Sequence, residues 1–154
     1  MQLFENIQDE IISRINKSTC SLKIAITWFT NHDIFEAVLN KLSEANFKVH
    51  LIVLNDGINN KIEGLNFQNF IDRGGVFYYS EDNSVVHHKF CIIDDKIVIT
   101  GSYNWTYTAE LKNWENIVIL NDLKIVKGFI DEFENKILNL NAQVINLHQQ
   151  PCET

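Results

Sequence analysis

The 154-residue sequence has few of the residues that mark non-globular chains. It contains one proline and six glycines, a composition that excludes collagen-like and low-complexity proteins. Hydrophobic residues make up 45% of the chain and charged residues 21%, which is enough apolar material to bury one core. These values exclude intrinsic disorder and predict a single globular domain.

Basic residues are also scarce. Thirteen Lys and Arg residues stand against 20 Asp and Glu, the net charge is −7, and Arg14 and Arg73 are the two arginines. Because non-specific affinity for nucleic acid comes from cations that neutralise phosphates, this balance excludes a broad polyanion-binding face. Any phosphate chemistry must therefore be confined to a local site.

The chain also lacks a cysteine framework and a long apolar run. Its three cysteines, Cys20, Cys91 and Cys152, have no zinc-like or redox spacing, and an odd count favours free thiols in a reducing compartment. The first residues have neither the basic segment nor the continuous apolar segment of a signal peptide. No run approaches the roughly 18 apolar residues of a membrane span. We expect a soluble, cytoplasmic protein without membrane association.

Apolar periodicity switches repeatedly between helical and strand spacing. Helices are predicted from Leu3 to about Lys17, after the N-cap Asn31, over 65–71, around 105–111 as a short helix or loop, and after the N-cap Asp122. Strands are predicted over 21–29, 49–54, 76–79 and 114–120, with a hairpin of two strands around the turn at 94–96. This order predicts an α/β fold in which helices flank a mixed β-sheet. Residues 1–140 form its one domain, and 141–154 are a C-terminal tail that is a free end or a contact for a protein partner.

Four polar side chains recur at two-residue spacing on the predicted hairpin. His87 and Lys89 share a face of one strand, and Ser102 and Asn104 have the same spacing at the end of the other. An imidazole, an ammonium, a hydroxyl and a carboxamide that converge can hold a tetrahedral oxyanion and attack it. The hairpin therefore predicts a phosphate site.

These residues have the spacing of a known family signature: His87-x-Lys89, four residues, Asp94, six residues, Gly101-Ser102-x-Asn104. The pattern resembles the signature of the phospholipase D superfamily, the HKD phosphodiesterases. The segment 113–116, Asn-Trp-Glu-Asn, is similar to the family's downstream Asn-x-Glu-Asn element. The resemblance covers about residues 1 to 140 and implies the family's α-β-α sandwich.

The resemblance implies a homodimer, because the family's active site takes one histidine from each of two motifs and this chain has one. His87 of one subunit would attack phosphorus and become a phosphohistidine. His87 of the other subunit, protonated, would give its proton to the leaving alkoxide and later activate water.

The family resemblance also implies roles for the other signature residues. Lys89 and Asn104 would bind the nonbridging phosphate oxygens, with Ser102 hydrogen bonded at the same site. Glu115 would accept a hydrogen bond from Nδ1–H of the histidine and so leave Nε2 free to attack. Asp94 belongs to the catalytic signature, but its place at the strand end predicts an orienting or structural role.

Three functions are compatible with this site. Short single-motif members of the family resemble endonucleases, which favours metal-independent hydrolysis of DNA or RNA without a cofactor. The alternatives are hydrolysis of a phospholipid or cardiolipin, and a non-enzymatic nucleic-acid or protein interaction module whose site is vestigial. A metal centre is not expected, because the spacing of His87, His88, Asp94 and Asp95 matches no zinc or EF-hand pattern.

Two groups of residues near the motif are predicted to be structural. His88 points to the opposite face of its strand from His87. The aromatic residues Trp28, Phe29, Trp105 and Trp114 are expected mainly in the core, although Trp105 lies beside Asn104 and could line a substrate groove.

Overall fold

A computed structural model describes residues 1–80 and 85–139 and contains a single seven-stranded sheet with helices on both faces. The strands are β1 (Gln2–Leu3), β2 (Ser21–Ile26), β3 (Lys48–Leu54), β4 (Val76–Ser80), β5 (Lys89–Ile93), β6 (Ile97–Gly101) and β7 (Ile117–Leu120). The helices are α1 (Ile7–Lys17), α2 (His32–Leu42), α3 (Phe67–Asp72), α4 (Tyr107–Leu111) and α5 (Leu123–Asn139). The predicted 141–154 tail lies outside the described residues.

The sheet is mixed, as the sequence predicts. Its strand order is β1-β7-β6-β5-β2-β3-β4. The pairs β2–β3 and β3–β4 are parallel, and the other four pairs are antiparallel. Parallel neighbours need a crossover, and the helical segments α2 and α3 supply it.

Alternate residues of the central strands fill two separate cores. In β2, Ile24 and Ile26 belong to the larger core, which includes apolar residues of α1, α2 and α3. Ala25, between them, belongs to the smaller core, which α5 closes with Val126 and Phe133. The helices thus cover both faces, which confirms the predicted fold class.

Side-chain caps begin two helices at the predicted residues. Oδ1 of Asn31 accepts hydrogen bonds from the N–H groups of Asp33 and Ile34 at 3.0 and 3.1 Å. Asp122 likewise accepts from two N–H groups in the first turn of α5, each at 3.0 Å. Each cap satisfies amides that have no partner within the helix.

The start of the chain differs from the prediction. Leu3 was predicted on the first helix, but it belongs to β1, and the helix begins at Ile7. β1 pairs with β7, and the N–H of Ile119 donates to the carbonyl of Met1 at 2.8 Å. The partner strand lies more than a hundred residues away, so local spacing contains no sign of it.

The turn between β5 and β6 needs two residues in the left-handed region. Asp94 and Asp95 adopt φ values of 54° and 52°. The strand register pairs Ile93 with Ile97, and the N–H of Lys96 donates to the carbonyl of Ile93 at 3.0 Å. Asp tolerates the left-handed conformation better than most residues. The turn confirms the predicted hairpin and fixes which residues of β5 and β6 stand side by side.

Candidate active site

Lys89 opens β5 at the edge of the sheet where β2 ends. Its Cα pairs with that of Ile26, and its ammonium donates to the hydroxyl of Thr27 at 3.3 Å and to the carbonyl of His87 at 3.0 Å. Burial lowers the pKa of Lys89, and the carboxylate of Glu115 opposes that shift. The cation is therefore held in a fixed place within the field of a nearby carboxylate.

His87 precedes β5 and is exposed. Its carbonyl is fixed by Lys89, whereas its imidazole forms no hydrogen bond with any residue in 1–80 or 85–139. The side chain of His87 is therefore accessible both to a phosphate and to a second copy of the protein.

Ser102 is joined to the start of β7 by a reciprocal pair of hydrogen bonds. The N–H of Ser102 donates to the carbonyl of Asn116 at 3.1 Å, and the N–H of Asn116 donates to Oγ of Ser102 at 3.1 Å. This approach requires glycine at 101, because a Cβ there would lie 2.0 Å from the Asn116 carbonyl oxygen. The glycine of the motif thus lets the two strands meet at the site.

Glu115 binds Ser102 and not His87 within one chain. Its Oε2 accepts a short hydrogen bond from Oγ of Ser102, and its Oε1 accepts one from the Asn113 amide at 3.0 Å. The predicted contact between Glu115 and the histidine is absent from the described residues of the single chain. The carboxylate instead fixes the serine hydroxyl.

Asn104 is oriented by the end of β2. Its Oδ1 accepts a hydrogen bond from the backbone N–H of Trp28 at 3.2 Å. With the oxygen engaged, the NH2 group is the half of the amide left to contact a ligand, and it can only donate. A donor suits the oxygen of a phosphate.

Asp94 lies at the other end of the hairpin from this group. β5 separates it from Lys89 by five residues, a distance of about 16 Å at the usual rise of a strand. Its carboxylate accepts hydrogen bonds from the N–H groups of Thr19, Cys20 and Ser21, the shortest at 2.7 Å. The structure therefore does not bring Asp94 together with the other signature residues, and its contacts are those of a structural anchor.

His88 faces away from the site. Its Nε2 lies 3.0 Å from Oε1 of Glu132 on α5, and its ring lies against Phe90. The ring of His88 therefore lies on the α5 side of the sheet.

The aromatic residues near the motif behave differently from one another. Trp105 is buried, and its ring meets that of Phe29 edge to face at 4.9 Å, so it is a core residue. Trp114, also predicted in the core, is fully exposed, and that prediction is wrong. The loop at 112–116 holds Glu115 toward Ser102 and leaves the neighbouring indole in solvent.

Thr27 was not among the predicted site residues. Its hydroxyl accepts a hydrogen bond from Lys89, and its N–H donates to the carbonyl of His88 at 3.1 Å. The contact joins residues 62 positions apart, so it depends on strand pairing and leaves no local signal in the sequence.

The described part of the chain has neither a metal-binding cluster nor a membrane-spanning helix. Within residues 1–80 and 85–139, no group of three or more His, Cys, Asp or Glu side chains is arranged to hold a metal ion. Over those residues, too, no helix has the length and apolar character needed to cross a membrane.

The site as a whole is one edge of the sheet that presents hydrogen-bond donors and a nucleophile. Lys89 and Asn104 offer donors for phosphate oxygens, Ser102 is held by Glu115, and the imidazole of His87 is accessible. These side chains can bind a phosphodiester through its oxygens and attack its phosphorus, and no other side chain of the same chain is needed for those two steps.

A family model described as cardiolipin synthase, PLD-like domain, matches residues 11–137. The chain belongs to the phospholipase D superfamily. A mitochondrial cardiolipin hydrolase from Chlamydomonas reinhardtii is 32% identical over 120 residues, which are 78% of this chain and 52% of that protein. A mitochondrial cardiolipin hydrolase from Mus musculus is 46% identical over 56 residues, 36% of this chain and 25% of that protein. The chain spans about half the length, or less, of these superfamily relatives.

Solved structures of the superfamily share the fold. NucT from Helicobacter pylori superposes with a TM-score of 0.75 at 24% identity, covering 90% of this chain and 94% of NucT. Nuc from Salmonella typhimurium, a phospholipase D family member, gives a TM-score of 0.72 at 22% identity, with coverage of 88% and 93%. These likenesses establish the superfamily's architecture for this chain.

Proposed function

We propose that this chain is a metal-independent phosphodiesterase that hydrolyses DNA or RNA in a homodimeric active site. The observation that carries the proposal is the convergence, at one edge of the sheet, of the exposed His87 imidazole with the donors Lys89 and Asn104. The Asn104 amide has its oxygen engaged and its NH2 group available, and the Lys89 ammonium uses two of its three N–H bonds within the protein. The ring of His87 is available as a whole.

The first step forms a bond between Nε2 of His87 and phosphorus while the bond from phosphorus to the leaving oxygen breaks. A protonated His87 of a second copy gives its proton to that oxygen. The same imidazole, now neutral, takes a proton from water, and the hydroxide displaces phosphorus from the first histidine. Lys89 and Asn104 stabilise the charge that develops on the nonbridging oxygens.

A second copy is required because the mechanism needs two histidines, and within residues 1–80 and 85–139 those other than His87 are placed elsewhere. His32 opens α2. His88 is occupied by Glu132 on the opposite face, and His50 lies among Lys23, Lys48 and Tyr78. A two-fold axis beside His87 would bring its two copies together and give each phosphate two lysines. The exposed position of His87 supports this arrangement.

The charge of the helices favours a nucleic acid over a lipid. Helices that lie on anionic membranes carry Lys and Arg on the polar face opposite an apolar one, whereas the first turn of α1 is acidic and α5 mixes both signs. Hydrolysis of cardiolipin remains the second candidate because relatives with that name are 30% or more identical.

A panel of substrates tests the proposal. Wild-type protein and the His87→Ala variant are incubated with single-stranded DNA, duplex DNA, RNA and cardiolipin liposomes. We expect cleavage of at least one nucleic acid by the wild type and none by the variant. Cleavage of cardiolipin alone would favour the second candidate, and binding of nucleic acid without cleavage would favour an interaction module with a vestigial site.

A further inference from the structure

The indole of Trp114 is exposed and makes no contact with the described residues that would stabilise the fold. Its exposed fraction is 102%, and within residues 1–80 and 85–139 it takes part in no hydrogen bond or ring contact. A tryptophan usually adds stability through burial of its large apolar surface, so a wholly exposed indole contributes nothing of that kind here.

The loop that carries Trp114 is fixed on both sides of it. Asn113 and Ser102 both donate to the carboxylate of Glu115, and Asn116 exchanges backbone and side-chain hydrogen bonds with Ser102. The Cα atoms of residues 114 and 115 lie about 3.8 Å apart, as neighbours do. The contacts that hold Ser102 therefore also fix the loop backbone that carries the indole, so ligand binding has to order the Trp114 side chain but not the loop.

The other exposed side chains of the 112–116 loop are polar. Lys112, Asn113 and Asn116, on the same loop, are all exposed. Interface cores between proteins are depleted of charge, and membrane-bound surfaces need a broad apolar face. An aromatic ring next to a phosphate site, set among polar groups, is instead the usual platform for an unpaired base, because every base has a face that can stack.

We infer that Trp114 stacks on a base of a single-stranded nucleic acid whose phosphate lies at Lys89 and Asn104. The inference rests on the proposed nuclease function and narrows its substrate to strands with unpaired bases. In a duplex the bases already stack on their neighbours, so their faces are not available to the indole.

The test compares substitutions that separate an aromatic face from apolar bulk. Trp114→Phe keeps an aromatic ring that can stack, Trp114→Leu keeps only apolar side-chain volume, and Trp114→Ala removes both. Leu111→Ala is the matched control, since Leu111 is a nearby exposed apolar residue at the end of α4. The substrates are a single-stranded oligonucleotide, a strand of the same length built from abasic tetrahydrofuran units, and bis(p-nitrophenyl) phosphate.

We expect Trp114→Ala and Trp114→Leu to lower kcat/KM on the base-containing strand about tenfold, within the range of one stacked base. Trp114→Phe should retain most of the activity, and Leu111→Ala all of it. None of the variants should change hydrolysis of the abasic strand or of bis(p-nitrophenyl) phosphate, because these substrates present no nucleobase.

Three results would overturn the inference. The first is an equal loss on base-containing and abasic strands, and the second is a loss in Leu111→Ala that matches that of Trp114→Ala. The third is a Trp114→Ala protein that is monomeric by native mass spectrometry and inactive on every substrate, which would assign the indole to the dimer contact. A wild type that cleaves no nucleic acid would instead refute the proposed function itself.

Discussion

Asp94 should stabilise the fold and leave catalysis unaffected, although it is the aspartate of the family signature. Its carboxylate accepts hydrogen bonds from the backbone of Thr19, Cys20 and Ser21 and from the Thr19 hydroxyl. Asp94→Asn removes the charge and replaces one acceptor oxygen with a donor. Asn also tolerates the left-handed backbone of this turn, so the substitution adds no strain.

The loss of unfolding free energy in Asp94→Asn depends on how many hydrogen bonds lose a charged acceptor. Hydrogen bonds to ionised groups are about twice as strong as neutral ones, but Thr19 and Cys20 are exposed and water can replace part of the loss. We expect the free energy of unfolding to fall by about 2 kcal/mol and Tm by about 4 to 8 °C for a domain of this size.

The difference in stability between wild type and Asp94→Asn should disappear at low pH. Burial raises the pKa of Asp94, but the hydrogen bonds from Ser21, Cys20 and Thr19 outweigh it and hold the pKa below its ordinary value. A carboxyl with a lowered folded pKa stabilises the protein above its unfolded pKa, about 3.9, and the stabilisation is lost as pH falls through the folded value. Wild type and Asp94→Asn should therefore converge in stability as pH falls below the unfolded value of about 3.9 and through the folded pKa.

Urea unfolding at pH 7 and over a series of falling pH values, with hydrolysis measured at 25 °C, checks these expectations. Asp95→Asn is the matched control, because Asp95 shares the turn but its carboxylate pairs on the surface with Lys23, a contact worth about 1 kcal/mol or less. If Asp94→Asn unfolds like the wild type at pH 7, or if it stays folded and loses activity, the anchoring role is wrong.

Further predictions concern the chemistry and the packing of the site. Hydrolysis should survive excess EDTA, because histidine, lysine and asparagine supply what two-metal nucleases take from metal ions; loss on chelation with recovery on adding magnesium would contradict this. The rate should pass through a maximum with pH, since one His87 must be neutral and its twin protonated, whereas a monotonic rise from pH 5 to 9 would oppose paired histidines. Gly101→Ala should lower the unfolding free energy by about 3 kcal/mol in urea titrations, through the clash with the Asn116 carbonyl. Gly128→Ala, where an added Cβ meets nothing within 4 Å, should raise it by about 0.5 to 1 kcal/mol, and equal effects at the two glycines would refute the close approach. Asn31→Ala should cost about 1 kcal/mol of stability by removing the α2 cap, and an unchanged urea midpoint would argue against that cap.

The sequence predicts those parts of the fold and site that depend on local spacing. His87 and Lys89 share a face because strands alternate, and the turn at Asp94 brings the second strand back beside the first. The helix caps at Asn31 and Asp122 are likewise visible in a few neighbouring residues. These features were predicted and are present in the structure.

Features that depend on distant pairing were missed. β1 is two residues long and pairs with β7, so its residues were read as part of a helix. Thr27 reaches Lys89 through the pairing of β2 with β5. Trp114 was grouped with the other aromatic residues as a core residue, but Glu115 and Asn116 bind Ser102 and the indole faces solvent.

Mixing of subunits tests the shared active site most directly. Wild type is refolded with a threefold excess of His87→Ala, exchange is confirmed by native mass spectrometry, and cleavage is measured per wild-type chain. A mixed dimer lacks either the nucleophile or the acid, and random pairing leaves about one dimer in sixteen with two intact chains. Activity per wild-type chain should therefore fall to about a quarter, while mixing with the exposed-surface variant Leu123→Ala, far from the site, leaves it unchanged. A value that stays constant as His87→Ala is added would show that each chain acts alone and would contradict the homodimeric mechanism.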